Sequence, residues 1–186
     1  MDNANEDSRE LRIRNPYSRK QQLQRITWWI AEFFLFKLSL RPMYAWRRFV
    51  LRLFGAKLGD KVCIQRSARI EFPWNLEMGR FSSIGESAWI YNLDKVITGD
   101  FVVISQRAFL CCGTHDYSKP QRPLITKPII IESGVWIAAD AFLAPGVRIG
   151  QNSVIGARSV VTKDMPADMV CAGHPCEPIK QRVNQD

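Results

Sequence analysis

Between Ile131 and Pro166 a branched apolar residue returns at every sixth position without a slip: Ile131, Ile137, Leu143, Ile149, Ile155 and Val161. The fifth position of each unit is small or Val, as in Val135, Ala141, Val147, Ser153 and Ser159. A helix needs an apolar residue about every 3.6 positions, so a period of six gives it no continuous buried face. A simple antiparallel strand alternates with a period of two and has no reason to pause at each sixth residue. A short strand followed by a tight corner does repeat in six, with the branched residue inside and the small one beside it at the corner. The pattern therefore predicts a parallel β-helix of hexapeptide repeats.

The same period runs upstream in another phase, through Leu58, Ile64 and Ile70, then Met78, Ile84 and Ile90, then Thr98, Ile104 and Leu110. The phase slips only after every third unit: at 76–77, at 96–97, and by a long insertion at 116–130. Three units per coil and slips confined to one corner predict a triangular prism. Its coils start at 58, 78, 98, 131 and 149. The fold class is thus all-β, a parallel β-helix of about five coils with an N-terminal helical extension. The domain reading is 1–57 for a basic, aromatic-rich helical extension and cap, 58–166 for the β-helix with its inserted loop 116–130, and 167–186 for a C-terminal tail. After Pro166 the residues Gly173, Pro175 and Pro178 mark a loop, with a short helix or tail at 179–183.

Within the extension, the first residues are charged and read as disordered. Residues 21–40 read as a helix rich in Trp28, Trp29, Phe33, Phe34 and Phe36, too short and interrupted to span a membrane. A second helix at about 43–54 places Trp46, Phe49, Val50 and Leu53 on one face and Arg47, Arg48 and Arg52 on or near the other. It is expected either to cap the open end of the prism or to lie on an anionic membrane surface.

Charge sharpens this division. Residues 1–57 carry 12 Lys/Arg against 5 Asp/Glu, whereas the remainder carries 14 against 13. The formal charge of +8 is therefore almost entirely N-terminal. The β-helix has no basic stripe with interleaved aromatics, which argues against nucleic acid as a partner. The five cysteines, odd in number and without an apolar leader before them, fit a reducing cytoplasm. Cys111 and Cys112 beside His115 are the candidates for a thiol nucleophile. No second cysteine pair complements Cys171 and Cys176 at zinc spacing, so no metal is expected.

Phe72-Pro-Trp-Asn-Leu, Trp89-Ile-Tyr-Asn-Leu, Ile104-Ser-Gln-Arg-Ala, Thr114-His-Asp-Tyr and Ala172-Gly-His-Pro carry a family likeness. The chain resembles the left-handed β-helix acyltransferases of the hexapeptide-repeat superfamily. Within it, these segments resemble the colanic-acid and exopolysaccharide O-acetyltransferase branch, with the maltose, galactoside and nodulation-factor acetyltransferases as cousins. The likeness covers residues 44 to 182. It implies left-handed coils and a homotrimer that shares its sites between neighbours.

The likeness also implies that His115 is the general base for direct transfer of an acetyl group from acetyl-CoA to a sugar hydroxyl. Imidazole titrates near neutrality and suits that task. Asn92 is implied to bind the acceptor, with Asp116 or Tyr117 touching the acceptor or orienting the base. Trp136, Ala139 and Ala157 are implied to line the pantetheine arm, and Thr162, Lys163 and Lys180 to approach the nucleotide phosphates. Two residues depart from the family pattern: His174 stands where Asn is usual after Gly173, and Ala138 where Gly is common.

The expected function is O-acetylation of a saccharide intermediate of surface or extracellular polysaccharide synthesis, in the cytoplasm. A lipid-linked acceptor and peripheral contact of residues 1–57 with the inner membrane face are left open. The alternatives are a drug-inactivating acetyltransferase on the same scaffold, or a non-catalytic membrane-docked assembly scaffold. A zinc carbonic anhydrase would need three histidine ligands, and only His115 and His174 exist.

Overall fold

A computed structural model describes residues 18–183. The charged N-terminal stretch expected to be disordered lies outside the described residues, as do the last three. The prism has three parallel faces. Face A stacks Lys57–Leu58, Leu76–Met78, Val96–Thr98, Ile129–Ile131 and Arg148–Ile149. Face B stacks Cys63–Ile64, Ser83–Ile84, Val103–Ile104, Trp136–Ile137 and Val154–Ile155, and face C stacks Arg69–Ile70, Trp89–Tyr91, Phe109–Cys111, Phe142–Leu143 and Val160–Val161. Every position-one residue from Leu58 to Val161 is buried, and so are the position-five residues Val135, Ala141, Val147, Ser153 and Ser159. The core is thus a column of branched side chains with small ones filling the corners.

Two boundaries differ from the expectation. The fourth coil begins with a strand at Ile129–Ile131, because Ile129 is buried and pairs with Val96 before the repeat phase resumes. The prism also continues past Pro166. Met165 bridges Ile149, and Met169–Gly173 pairs in parallel with Val154–Ile155 to begin a sixth turn. The expected loop and helix after 167 form a hairpin instead. Cys176–Gln181 returns antiparallel to Met169–Gly173, and Arg182 donates to the carbonyls of Gly134 and Asn152, both at 2.9 Å. The turn of this hairpin draws its positive φ, +112°, from Gly173, so His174 need not adopt a left-handed backbone.

Cys63, Ser83, Val103 and Trp136 each donate an N–H to a carbonyl of the next coil. The first coil has no coil beneath it, so the carbonyls of Leu58, Val62, Ile64 and Ile70 are left for the N-terminal helices to cover. Helix α1, Arg19–Ala31, starts in a capping box between Ser18 and Gln21 and runs into a π-helical turn at Glu32–Lys37. Helix α2 is Tyr44–Leu53. Arg47 is fully buried and donates to Ile64 O at 2.6 Å, Ser39 Oγ at 2.9 Å, Leu40 O at 2.9 Å and Arg41 O at 2.8 Å. Arg48 reaches Val62 O at 2.9 Å, Arg52 reaches Leu58 O at 2.7 Å, and the Trp28 indole reaches Ile70 O at 2.8 Å.

The arginines of α2 are thus donors to an open sheet end. Burial lowers the pKa of Arg47, yet its donors are matched by carbonyl and hydroxyl oxygens. The other side of these helices is apolar and exposed, with Ile30, Phe33, Phe34, Leu38 and Leu40 open to solvent. No helix among the described residues is long and apolar enough to cross a membrane.

Candidate active site

His115 stands on a hairpin that leaves the prism at the corner between faces C and A. Gly113–His115 pairs antiparallel with Leu124–Thr126, and His115 lies opposite Leu124. The long insertion is therefore built rather than loose. Asp116 N donates to Pro123 O at 3.0 Å, and the Asp116 carboxylate accepts from Ser118 N at 3.1 Å and from the Ser118 hydroxyl. Those bonds, with Lys119 at 3.4 Å, hold Asp116 below the usual carboxylate range. The carboxylate closes the turn and does not contact His115. Tyr117 projects from that turn, 94% exposed.

His115 is exposed, and its Nδ1 lies 2.7 Å from the carbonyl oxygen of Arg122. A carbonyl can only accept, so the neutral ring carries its proton on Nδ1 and keeps a lone pair on Nε2. Arg122 has φ of 45°, a left-handed conformation that non-glycine residues seldom adopt. A kinked backbone thus supplies the orienting acceptor. No residue pattern marks this partner, because any residue type can contribute a carbonyl.

Asn92 sits beneath the hairpin root and is fully buried. Its Oδ1 accepts from Phe72 N at 3.0 Å and its Nδ2 donates to Phe72 O at 2.6 Å. Asn75 Nδ2 in turn donates to Asn92 O at 3.0 Å. Both ends of the Asn92 amide are thus engaged by the backbone of the coil below. Above it, Gly113 is packed so closely that a Cβ there would lie 2.6 Å from Leu93 Cδ1. Phe72, Asn92, Leu93 and Gly113 together form the footing from which the His115 hairpin rises.

Of the two thiols beside His115, Cys112 is unlike a nucleophile. Cys112 is buried and its pKa is pushed up to about 12 by desolvation, so it remains protonated at neutral pH. Cys111 Sγ lies 3.1 Å from Gly113 O. Among the described residues no three His, Cys, Asp or Glu side chains gather as a metal-binding group.

The residues expected along an acyl donor fall at other places. Ala139 and Ala157 stack at the corner between faces B and C, where Arg158 N donates to Ala139 O at 2.9 Å. Ala157 is exposed, and small side chains leave the backbone of this corner open to a ligand lying along it. Ala138, where a glycine is common in the family, is buried and adds no bulk to the outside. Trp136 lies on face B, 46% exposed, and its indole donates to Ser105 Oγ at 2.9 Å one coil away. Thr162, Lys163 and Lys180 are all exposed. Lys163 pairs with Glu177 at 2.8 Å, a contact open to water and easily exchanged for another anion. Within one chain, then, His115 stands at the C–A corner and the small-residue groove at the B–C corner.

Comparison with known proteins agrees with this geometry. Residues 128–163 match the family described as bacterial transferase hexapeptide (six repeats). The chain is 42% identical over 159 residues to WcaF of Escherichia coli K12, named for colanic acid biosynthesis acetyltransferase activity, covering 86% of this chain and 87% of that one. It is 32% identical over 143 residues to the galactoside O-acetyltransferase of Escherichia coli K12, covering 75% and 70%. Among solved structures, a hexapeptide-repeat acetyltransferase of Vibrio cholerae in complex with acetyl-CoA superposes with a TM-score of 0.84 at 26% identity, covering 91% and 93%. A galactoside acetyltransferase in complex with coenzyme A gives 0.83 at 28% identity, covering 90% and 84%. A continuous hexapeptide prism, a histidine raised on a corner hairpin and homology over most of the chain converge: the protein belongs to the hexapeptide-repeat acetyltransferase family.

Proposed function

We propose that this protein transfers an acetyl group from acetyl-CoA to a hydroxyl of a saccharide intermediate in surface polysaccharide synthesis, with His115 as general base and no acyl-enzyme. The observation that carries the reading is the bond from His115 Nδ1 to Arg122 O, which leaves Nε2 as the proton acceptor. Acetyl-CoA supplies the acetyl group as a thioester. His115 Nε2 takes the proton of the acceptor hydroxyl as that oxygen attacks the thioester carbonyl. The resulting imidazolium keeps its bond to Arg122 O, and Nε2 returns the proton to the departing thiolate. General-base assistance of this kind contributes about 10² to 10⁴-fold. The buried, protonated Cys112 supports direct transfer over a cysteine intermediate.

Trp136, Ala139 and Ala157 suit a pantetheine arm lying against backbone, and Thr162, Lys163 and Lys180 suit phosphates at its far end. Because the base and this groove sit at different corners of one chain, a homotrimer in which a neighbour completes each site fits the geometry. The colanic-acid relative supports a polysaccharide intermediate as acceptor. The exposed apolar side of the N-terminal helices supports peripheral membrane contact, and a lipid-linked acceptor would be met there. The test is release of free CoA from acetyl-CoA with a panel of sugars, nucleotide sugars and deacetylated colanic acid fragments. Saccharide-dependent release is expected, and its absence across the panel would overturn the reading.

A further inference from the structure

A cavity of about 650 Å³ lies far from the acyl-donor groove, between α1 with its π-helical turn and the first coil of face C. Its walls include Gln22, Arg25, Trp29, Glu32, Arg69 and Glu71. Glu32 opens the π-helical turn, a rare conformation that is frequent at functional sites. Glu32 is 6% exposed, and its Oε1 has no hydrogen-bond partner among the described residues. The Lys37 ammonium lies 3.4 Å from it, a long ion-pair contact. A buried carboxylate oxygen whose one donor is this distant is poorly satisfied, and a ligand that brings a closer donor would complete it.

The charges select the ligand. Arg25, Lys37 and Arg69 against Glu32 and Glu71 leave an excess of one positive charge, which disfavours an amine. An ionised phosphate or carboxylate has no donor for Glu32 Oε1. A neutral polyol has donors and acceptors together, and Trp29, 71% exposed at the rim, offers an apolar face to a sugar ring. A line of aromatic contacts leads from the Arg69 wall of the cavity toward His115. Arg69 lies over the Trp89 ring at 4.7 Å, Trp89 stacks on Phe109 at 4.6 Å, and Tyr91 packs edge-on against Trp89. This aromatic stripe climbs the outside of face C to the strand Phe109–Cys111, from which the His115 hairpin departs two residues later. Ile70, Ile90 and Leu110 are register partners, so the climb is two coils, about 10 Å at strand spacing.

We infer that this cavity is a remote acceptor subsite for a neutral sugar residue, and that the acceptor is an oligosaccharide lying along face C rather than a single sugar. The inference rests on the acetyltransferase reading for its end at His115, but the cavity itself is testable by binding alone. The probes are size-fractionated, base-deacetylated colanic acid oligosaccharides, with free galactose as the single-sugar control. Titration calorimetry without acetyl-CoA measures binding, and CoA release measures turnover, in wild type, Glu32→Ala and Trp29→Ala. Trp29 is largely exposed, so its variant keeps the fold if the Glu32 variant does not.

Oligosaccharide is expected to bind wild type, with KM rising about tenfold or more in both variants at nearly unchanged kcat, the scale of one charge-assisted hydrogen bond. Turnover of galactose should not change between wild type and variants. Binding without turnover would overturn the acetyltransferase reading and leave the subsite standing. Turnover with the same oligosaccharide KM in wild type and in Trp29→Ala, or no binding at all, would overturn the subsite.

Discussion

Replacing Arg47 by methionine tests how the open end of the prism is closed. The guanidinium makes four hydrogen bonds, to Ile64 O, Ser39 Oγ, Leu40 O and Arg41 O. Leu40 and Arg41 are exposed, so water can replace the arginine at those two carbonyls. Ile64 is fully buried and Ser39 is 7% exposed, so their oxygens lose a donor that water cannot readily supply. An orphaned buried acceptor costs about 1–3 kcal/mol. Ile64 O at about 3 kcal/mol, and about 1 kcal/mol for the bond lost at Ser39 Oγ, which still donates to Phe36 O, give about 4 kcal/mol, and methionine offsets about 1 kcal/mol of this by removing a desolvated charge and filling much of the space. The net is about 3 kcal/mol, or about 10 °C in Tm for a chain of this size. Differential scanning calorimetry of Arg47→Met beside Arg48→Met is the assay. Arg48 makes one bond from a half-buried position, so its variant should shift Tm by a few degrees at most. If Arg47→Met melts at or above the wild-type temperature, the arginine is not what satisfies the first coil and the capping argument fails.

Three further outcomes follow from the same structure. Asp100 beside Arg80, Asp140 beside Arg107 and Glu132 beside Arg148 all have depressed pKa values. Their stabilisation is present above the ordinary carboxylate range and is lost as pH falls through it and below, so Tm should drop between about pH 5 and 2; a flat profile across that window would contradict the corner ion pairs. Mixing His115→Ala with a variant disrupted at the groove, Ala157→Trp, should restore part of the activity that each lacks alone, if neighbours share sites; mixtures as inactive as their components, or a stable active monomer by light scattering, would rule this out. Vesicles with 30% anionic lipid should co-sediment the full chain at low salt, and binding should be lost on deleting residues 1–40; protein left in the supernatant at low salt would refute the membrane role.

The sequence made the prism legible because a β-helix writes its core at a fixed period. Ile131 to Val161 could be placed inside by counting alone, and their burial agrees. The period is silent where the same physics is met by other means. Arg47 read as a surface charge, since nothing in a linear pattern marks an arginine whose partners are the carbonyls of a sheet end. The hairpin at 169–181 is not legible because an antiparallel return strand carries no sixfold signal, and prolines stand in both its turn, Pro175, and the strand itself, Pro178. Asn92 was singled out by its neighbours in the motif, but its burial depends on the coil below. His115 was legible as a lone histidine at an insertion root, whereas the Arg122 carbonyl that fixes its tautomer was not.

The measurement that bears most directly on the account is kcat/KM for acetyl transfer to a saccharide by wild type and His115→Ala at equal oligomeric state. His115 is exposed and lies outside the apolar column, so the variant should keep its fold and Tm. The account predicts a loss of about 10² to 10⁴-fold with little change in Tm. Wild-type kcat/KM in a folded His115→Ala enzyme would contradict it.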